Sequence, residues 1–180
     1  MAFDLEREVR DLAARRDIQK AIFAYMRGQD RLDWQLQRTA FHDGADVDCG
    51  LLRGSPEDYT DFAQGFLANL VGSQHLVGQV DLDVDAEAGR GTGEVYFIAW
   101  HRQVTDGRDE DLLMAGRYVD EYECRGGRWA ISRRRELIDW ARTDPATDDI
   151  LHQMKEIHLS GRKGADFSQT RDWASGTSGR

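Results

Sequence analysis

Tyr25, Asp30, His75, His101 and Arg134 are the side chains of this sequence whose types and order suit proton transfer. A histidine titrates near neutrality, and a carboxylate bonded to one ring nitrogen fixes its tautomer so that the other nitrogen can remove a proton. The same carboxylate then stabilises the imidazolium that forms. An arginine or a second histidine nearby can stabilise or protonate a departing oxygen, or hold an enolate, while a tyrosine hydroxyl can relay a proton. An apolar pocket strengthens each of these effects by excluding water. Such a set removes a proton beside an activating group and expels water or halide from the neighbouring carbon, or returns the proton elsewhere as an isomerase. This chemistry requires no cofactor and no metal. General acid/base assistance is worth roughly 10²- to 10⁴-fold per group, so an Asp30–His75 dyad also needs an oxyanion partner and a positioned substrate.

These residues fall on separate elements, which one helix layer and one sheet must bring together. From Asp4 to Met26, Leu5, Val9, Leu12, Ala13, Ile18, Ile22, Phe23 and Met26 recur at helical steps. This predicts an amphipathic helix, broken near Arg15-Arg16-Asp17, with Asp17 capping its second half and Gly28 supplying the stop. Asp30-Arg31-Leu32-Asp33-Trp34 reads as a short second helix, and Ala45-Asp46-Val47-Asp48-Cys49 alternates as an edge strand does. Ser55-Pro56 opens another helix, with Phe62, Phe66, Leu67 and Leu70 as its buried stripe and Gly72 at its end. Residues 74–84, 93–104, 112–124 and 128–140 then read as four long strands joined by turns at Ala88-Gly89-Arg90, Asp106-Gly107-Arg108 and Arg125-Gly126-Gly127. Helices followed by an antiparallel meander make an α+β fold.

The run from Val95 to Trp100 is apolar on both faces, more than a sheet covered by helices on one side requires. A second copy of the chain is the economical cover, so a homo-oligomer is expected. After Asp144-Pro145, Ile150, Leu151, Met154 and Ile157 mark a last helix, and a polar tail begins at Ser160, read as mobile or held by a neighbour. The expected division is residues 1–143 as the α+β domain and 144–180 as a C-terminal helix and tail.

Composition narrows the partners. With 24 Lys and Arg against 33 Asp and Glu, the net charge of -9 offers no attraction to nucleic acid or to an anionic membrane surface. The apolar stretches are too short to span a bilayer, and the N-terminus has no basic-then-apolar pattern, which places the chain in the cytoplasm. Cys49 and Cys124 have no metal-ligand spacing and read as two buried thiols. His42, His152 and His158 belong to no constellation, and Asp81, Asp83 and Asp85 lack the spacing of a calcium loop.

The order Tyr25, Asp30-Arg31-Leu32-Asp33-Trp34, Gly54-Ser55-Pro56, Gln74-His75-Leu76-Val77-Gly78-Gln79, Tyr118, Tyr122-Glu123 and Gly127-Arg128-Trp129-Ala130-Ile131 resembles the nuclear transport factor 2-like superfamily. Within it the chain is similar to the SnoaL-like branch, which includes scytalone dehydratase, hexachlorocyclohexane dehydrochlorinase and the bile-acid 7α-dehydratase. The resemblance runs over roughly residues 5 to 142. It implies a cone-shaped α+β barrel around a deep apolar pocket, and a trimer, favoured over a dimer. It further implies Asp30 and His75 as the dyad, with Tyr25, His101 and Arg134 assisting. Gln79 departs from the Asn common four residues after that histidine. Trp34, Phe62, Phe66, Phe97 and Tyr118 are expected as pocket wall.

Two functions follow. One is a cofactor-independent lyase, of dehydratase or dehydrohalogenase type, or an isomerase, acting on a small apolar cyclic molecule such as a steroid, polyketide or chlorinated ring. The other is a non-catalytic binding or assembly module of the same fold, such as a dioxygenase small-subunit-like protein. Fold alone does not separate them.

Overall fold

The computed structural model describes residues 3–154 and 156–173. It begins with a single 27-residue helix, α1 (Leu5–Arg31), capped by the Asp4 carboxylate on the Arg7 N–H. No break occurs at Asp17, whose side chain instead takes Arg16 and Lys20 as partners on the helix surface, holding its pKa down at about 2. Gly28 does not end the helix either. It lies inside α1, where the short helix α2 (Trp34–Arg38) crosses so closely that a Cβ would stand 2.5 Å from the Gln37 nitrogen. The stop is Leu32, left-handed at φ 53°, so Asp30 and Arg31 belong to α1, and α2 starts only at Trp34 with Asp33 as its cap.

Strand β1 (Phe41–Asp48) begins four residues before the alternating stretch and pairs with the two-residue β2 (Arg53–Gly54). Helix α3 (Pro56–Ala68) starts at a capping box in which Ser55 and Asp58 exchange hydrogen bonds. Its buried stripe is Tyr59, Ala63 and Leu67, four apart, with Thr60 beside them. Phe62 and Phe66 sit one position earlier in each turn, about 100° around the axis, and are partly exposed. The helix ends at Asn69, and Gly72 opens the next strand.

The long strands β3 (Gly72–Asp85), β4 (Arg90–Thr105), β5 (Arg108–Arg125) and β6 (Arg128–Pro145) form the antiparallel meander. Asp106-Gly107 and Gly126-Gly127 take positive φ at both turn positions, matching the right-handed twist of the strands they join. The six-stranded order is β2-β1-β6-β5-β4-β3, and β1 runs parallel to β6, so the sheet is mixed rather than wholly antiparallel. This curved, open sheet wraps the α1 and α3 layer, giving the cone-like α+β architecture. Ile18, Ile22, Tyr25, Phe41, Val47, Tyr59, Val95, Phe97 and Tyr118 belong to its core.

The two faces of β4 divide as the sequence implies. Val95, Phe97 and Ala99 are buried, whereas Tyr96 and Ile98 remain exposed on the outer side. After β6, which reaches two residues past the expected boundary, come α4 (Asp149–Gln153) and α5 (Phe167–Thr170). The polar tail is held by its own chain. Lys163 N–H donates to Arg31 O, Arg31 Nη1 to Gly161 O, and Arg27 Nη2 to Ser168 Oγ. The part of the expected tail beyond Trp173 lies outside the described residues.

Replacing Gly28 by Ala forces α1 from α2. It should destabilise the chain by about 1–3 kcal/mol despite the helix propensity gained, read as a lower urea midpoint with an unchanged m-value.

Candidate functional site

The last turn of α1 and the first residues of β3 meet at one carboxylate. Asp30 Oδ1 lies 2.7 Å from His75 Nδ1, and the His75 backbone N–H donates to Oδ1 and Oδ2 at 3.0 and 3.1 Å. Ser73 Oγ adds a longer contact of 3.4 Å. A carboxylate only accepts, so the ring proton sits on Nδ1 and the Nε2 lone pair is left free. Nε2 takes part in no hydrogen bond among the described residues. The two side chains are 6% and 11% exposed, and Phe97 tilts against the imidazole with centroids 6.4 Å apart. An ionised carboxylate at a helix C-terminus is disfavoured by the macrodipole, so the three donors supplied by β3 are what hold it there.

Ser73 pairs in register with His101 on β4, which places the second imidazole beside the first at 5.3 Å between centroids. The Phe66 edge closes on its other side at 6.2 Å. Burial, and then the charge of His75, push the His101 pKa down to about 4. His101 is therefore a neutral imidazole at neutral pH, and its Nδ1 is buried without a partner.

Tyr25 is fully buried five residues before Asp30 on α1. Its hydroxyl contacts that of Tyr59, and Gln29 Nε2 donates to both. Burial pushes the Tyr25 pKa up to about 12, against the opposing field of Arg134. Arg134 faces inward, while Arg133 reaches Glu121 and Arg135 reaches Asp48 on the outside. Its guanidinium lies over the Tyr25 and Tyr118 rings at 4.2 and 4.1 Å. Both oxygens of Asp120 engage it, at 2.8 and 2.6 Å, and Tyr122 donates to Asp120 as well. The arginine expected to stabilise a leaving group is thus already neutralised by a buried carboxylate, though its Nη1 has no partner.

Two charged groups near the dyad are absent from the sequence-based set. Glu136 is on the inner face of β6, two residues beyond Arg134 and opposite Tyr118 in register, and its field is felt by His75, Arg134 and Tyr25. Burial raises its pKa, and Arg134 and then His75 oppose the shift. The signal was available, because inward Arg134 with a period of two puts residue 136 on the same face. Arg162 comes from the C-terminal segment, where nothing in the local pattern announces it. Leu70 O and Leu67 O, at the end of α3, accept its two terminal nitrogens at 2.9 and 2.8 Å, and its charge reaches Asp30 and His101.

Of the expected pocket wall, Phe97 and Tyr118 are buried and stacked at 4.6 Å, and Phe66 borders His101. Trp34, 57% exposed on α2, and Phe62, displaced by the rotation of the α3 stripe, do not line the interior. His42 is a structural residue, its ring bridging Glu123 O and Arg128. Concavities of about 420 and 360 Å³ lie around Asp83 and Asp85 with Arg7, Arg10 or Arg90, and neither includes a dyad residue.

The family model described as SnoaL-like domain matches residues 10–135, well over half of the chain. The chain belongs to the SnoaL-like family. Solved structures with the same SnoaL-like architecture include the hexachlorocyclohexane dehydrochlorinase LinA-type3 of Novosphingobium barchaimii LL02, at 21% identity and TM-score 0.69 over 78% of this chain and 96% of that one. A scytalone dehydratase-like protein from Novosphingobium aromaticivorans is 17% identical, with TM-score 0.65 over 87% and 97% of the two chains. The Kfla4162 protein of Kribbella flavida is also 17% identical, with TM-score 0.65 over 73% and 95%. No curated protein matches the sequence.

Removing one partner of a buried ion pair strands the other charge. Asp120→Ala should cost about 3–5 kcal/mol, measured by urea unfolding, whereas Arg133→Ala on the outer face should cost less than about 1 kcal/mol.

Proposed function

We propose that this SnoaL-like protein is a cofactor-independent lyase or isomerase in which His75 is the general base and Asp30 orients it. The observation that carries this reading is the enclosed Asp30–His75 contact, which leaves Nε2 available against an aromatic wall. His75 Nε2 removes a proton beside an activating carbonyl, and Asp30 stabilises the imidazolium. Arg162, whose charge reaches Asp30, steadies the enolate oxygen in place of the neutralised Arg134, and neutral His101 donates a hydrogen bond to it. Tyr25, hydrogen-bonded within the interior, relays protons. Dehydrochlorinase and dehydratase names among the structural relatives agree with an elimination. A small, mostly apolar cyclic substrate agrees with the aromatic side chains beside the base, Phe97 against His75 and Tyr118 stacked on Phe97.

A non-catalytic binding or assembly module of the same fold is the second reading. It is favoured by the tight aromatic filling of the cone and by the distance of both surface concavities from the dyad. The two readings part on turnover. With a cyclic β-hydroxyketone such as 3-hydroxycyclohexanone, the enzyme should form the enone, detected by its ultraviolet absorbance. His75→Ala and Asp30→Asn should each lose about 10²- to 10⁴-fold while remaining folded, with the wild-type far-ultraviolet circular dichroism spectrum. Full activity in either variant refutes the dyad.

A homo-oligomer completes the proposal, with a trimer favoured, in the cytoplasm. No described helix is long and apolar enough to cross a membrane. On the outer sheet face Leu76, Ile98, Ala115 and Trp140 stand in one register across four strands, and Leu76, Ile98 and Trp140 are exposed. A second copy covers this row. Light scattering should give about three times the 20.5 kDa chain mass, and Trp140→Glu should lower it to that of one chain.

A further inference from the structure

The elimination proposed above needs an acid as well as a base if the leaving group is hydroxyl, because hydroxide departs poorly without a proton whereas chloride leaves as the anion. None of the expected assisting groups fills that role well. His101 carries its second, acidic proton only below about pH 4, Tyr25 keeps its proton to about pH 12, and Arg134 is committed to Asp120. A carboxylic acid with a raised pKa is the group suited to protonating a leaving oxygen near neutrality.

Glu136 stands where such a group is needed. It faces the interior from β6 opposite Tyr118, Tyr118 stacks on Phe97 at 4.6 Å, and Phe97 tilts against His75 at 6.4 Å. An aromatic floor therefore runs from the base on β3 to this carboxyl on β6. No hydrogen bond or ion pair to the Glu136 carboxyl is found among the described residues. Its obvious counter-charge is already taken, since Asp120 satisfies Arg134 through two short contacts. Around Arg134 one cation faces two carboxyls, those of Asp120 and Glu136, which favours one of them in its neutral form. The titratable groups whose electrostatics couple to it are His75 from β3, Arg134 from β6, Tyr118 from β5, Tyr25 from α1, Tyr59 from α3 and Cys49 just after β1.

We propose that Glu136 is the general acid of this site, and that the chain is accordingly a dehydratase, taking a substrate whose leaving group is a hydroxyl β to an activating carbonyl. The inference rests on His75 acting as base. His75 Nε2 takes the proton from the carbon beside the carbonyl, and that C–H electron pair forms the new C=C bond. The C–O bond breaks with its electrons on oxygen, and the Glu136 proton joins that oxygen to release water. The site is left with imidazolium and carboxylate, and transfer of the proton from His75 to Glu136 through solvent restores it. Atoms and charge balance without an external oxidant or reductant.

Two probes that differ only in leaving group separate this role from the base. With the full chain, kcat/KM is measured for 3-hydroxycyclohexanone and 3-chlorocyclohexanone above the buffer rate. In Glu136→Gln the hydroxy compound should slow by about 10²- to 10³-fold, while the chloro compound stays within a few-fold. In Glu136→Ala, added propionate should restore part of the hydroxyl elimination and leave the chloride elimination unmoved, an effect that a purely structural carboxyl does not produce. Equal losses on the two probes, no loss on either, absence of rescue, or conversion of neither by the wild-type chain overturns the assignment. His75→Ala reports separately. It should lose both reactions whatever Glu136 does, and its failure to do so removes the base while leaving the Glu136 ratio readable.

Discussion

One carboxylate ties the helical layer to the sheet. Asp30, in the last turn of α1, accepts from the His75 ring, the His75 backbone and the Ser73 hydroxyl, so the start of β3 is docked against the end of α1 by the same contacts that prepare His75. A negative charge at a helix C-terminus is unstable by itself, and donors from β3 turn that liability into a fixed joint. The tautomer of His75, the free Nε2 and the approach of His101 across the β3–β4 ladder all follow from it.

A second buried charge problem is solved deeper in the cone. Arg134 lies between Tyr25 and Tyr118, and the cost of burying it is offset by the bidentate contact with Asp120 and by the faces of the rings. This arrangement makes Arg134 a rigid part of the wall and leaves the Glu136 carboxyl without a hydrogen-bond partner among the described residues. In the proposed mechanism the proton transfers thus fall to His75 and Glu136, with the cation brought in by the C-terminal segment assisting. The Arg162 charge is felt at Asp30 and His101 because two carbonyls at the end of α3 hold its guanidinium, so a segment outside the matched domain residues contributes to the field around the dyad.

The sheet has two apolar faces with different fates. Val95, Phe97 and Ala99 pack on the helices, while Leu76, Ile98 and Trp140 remain open to solvent in the single chain. Burying such a row against a second copy is the usual way an α+β sheet with one helix layer completes its cover.

Much of this was legible in the residues. Ser55-Pro56 marked the start of α3, Asp106-Gly107 and Gly126-Gly127 marked hairpins, and the strand alternation placed β3 to β6 within a few residues. The pairing of Asp30 with His75 followed from a resemblance in order and spacing, now matched by membership of the SnoaL-like family. These are local signals, set by backbone sterics, capping and periodicity, which a chain carries regardless of its surroundings. What the tertiary structure decided depends on who meets whom. α1 runs unbroken through Asp17 because packing of Ala14, Ile18 and Ile22 outweighs a surface cap, and Phe62 turns outward because the α3 stripe is chosen by β1 and α1. Asp120, fourteen residues from Arg134, becomes its partner only when β5 and β6 pair, and the Arg162 charge comes near Asp30 only when the chain folds back over α1. Burial and partnership are properties of the assembled fold, so the sequence by itself pointed to the histidine and its carboxylate, and the fold decided which other charged groups stand near them.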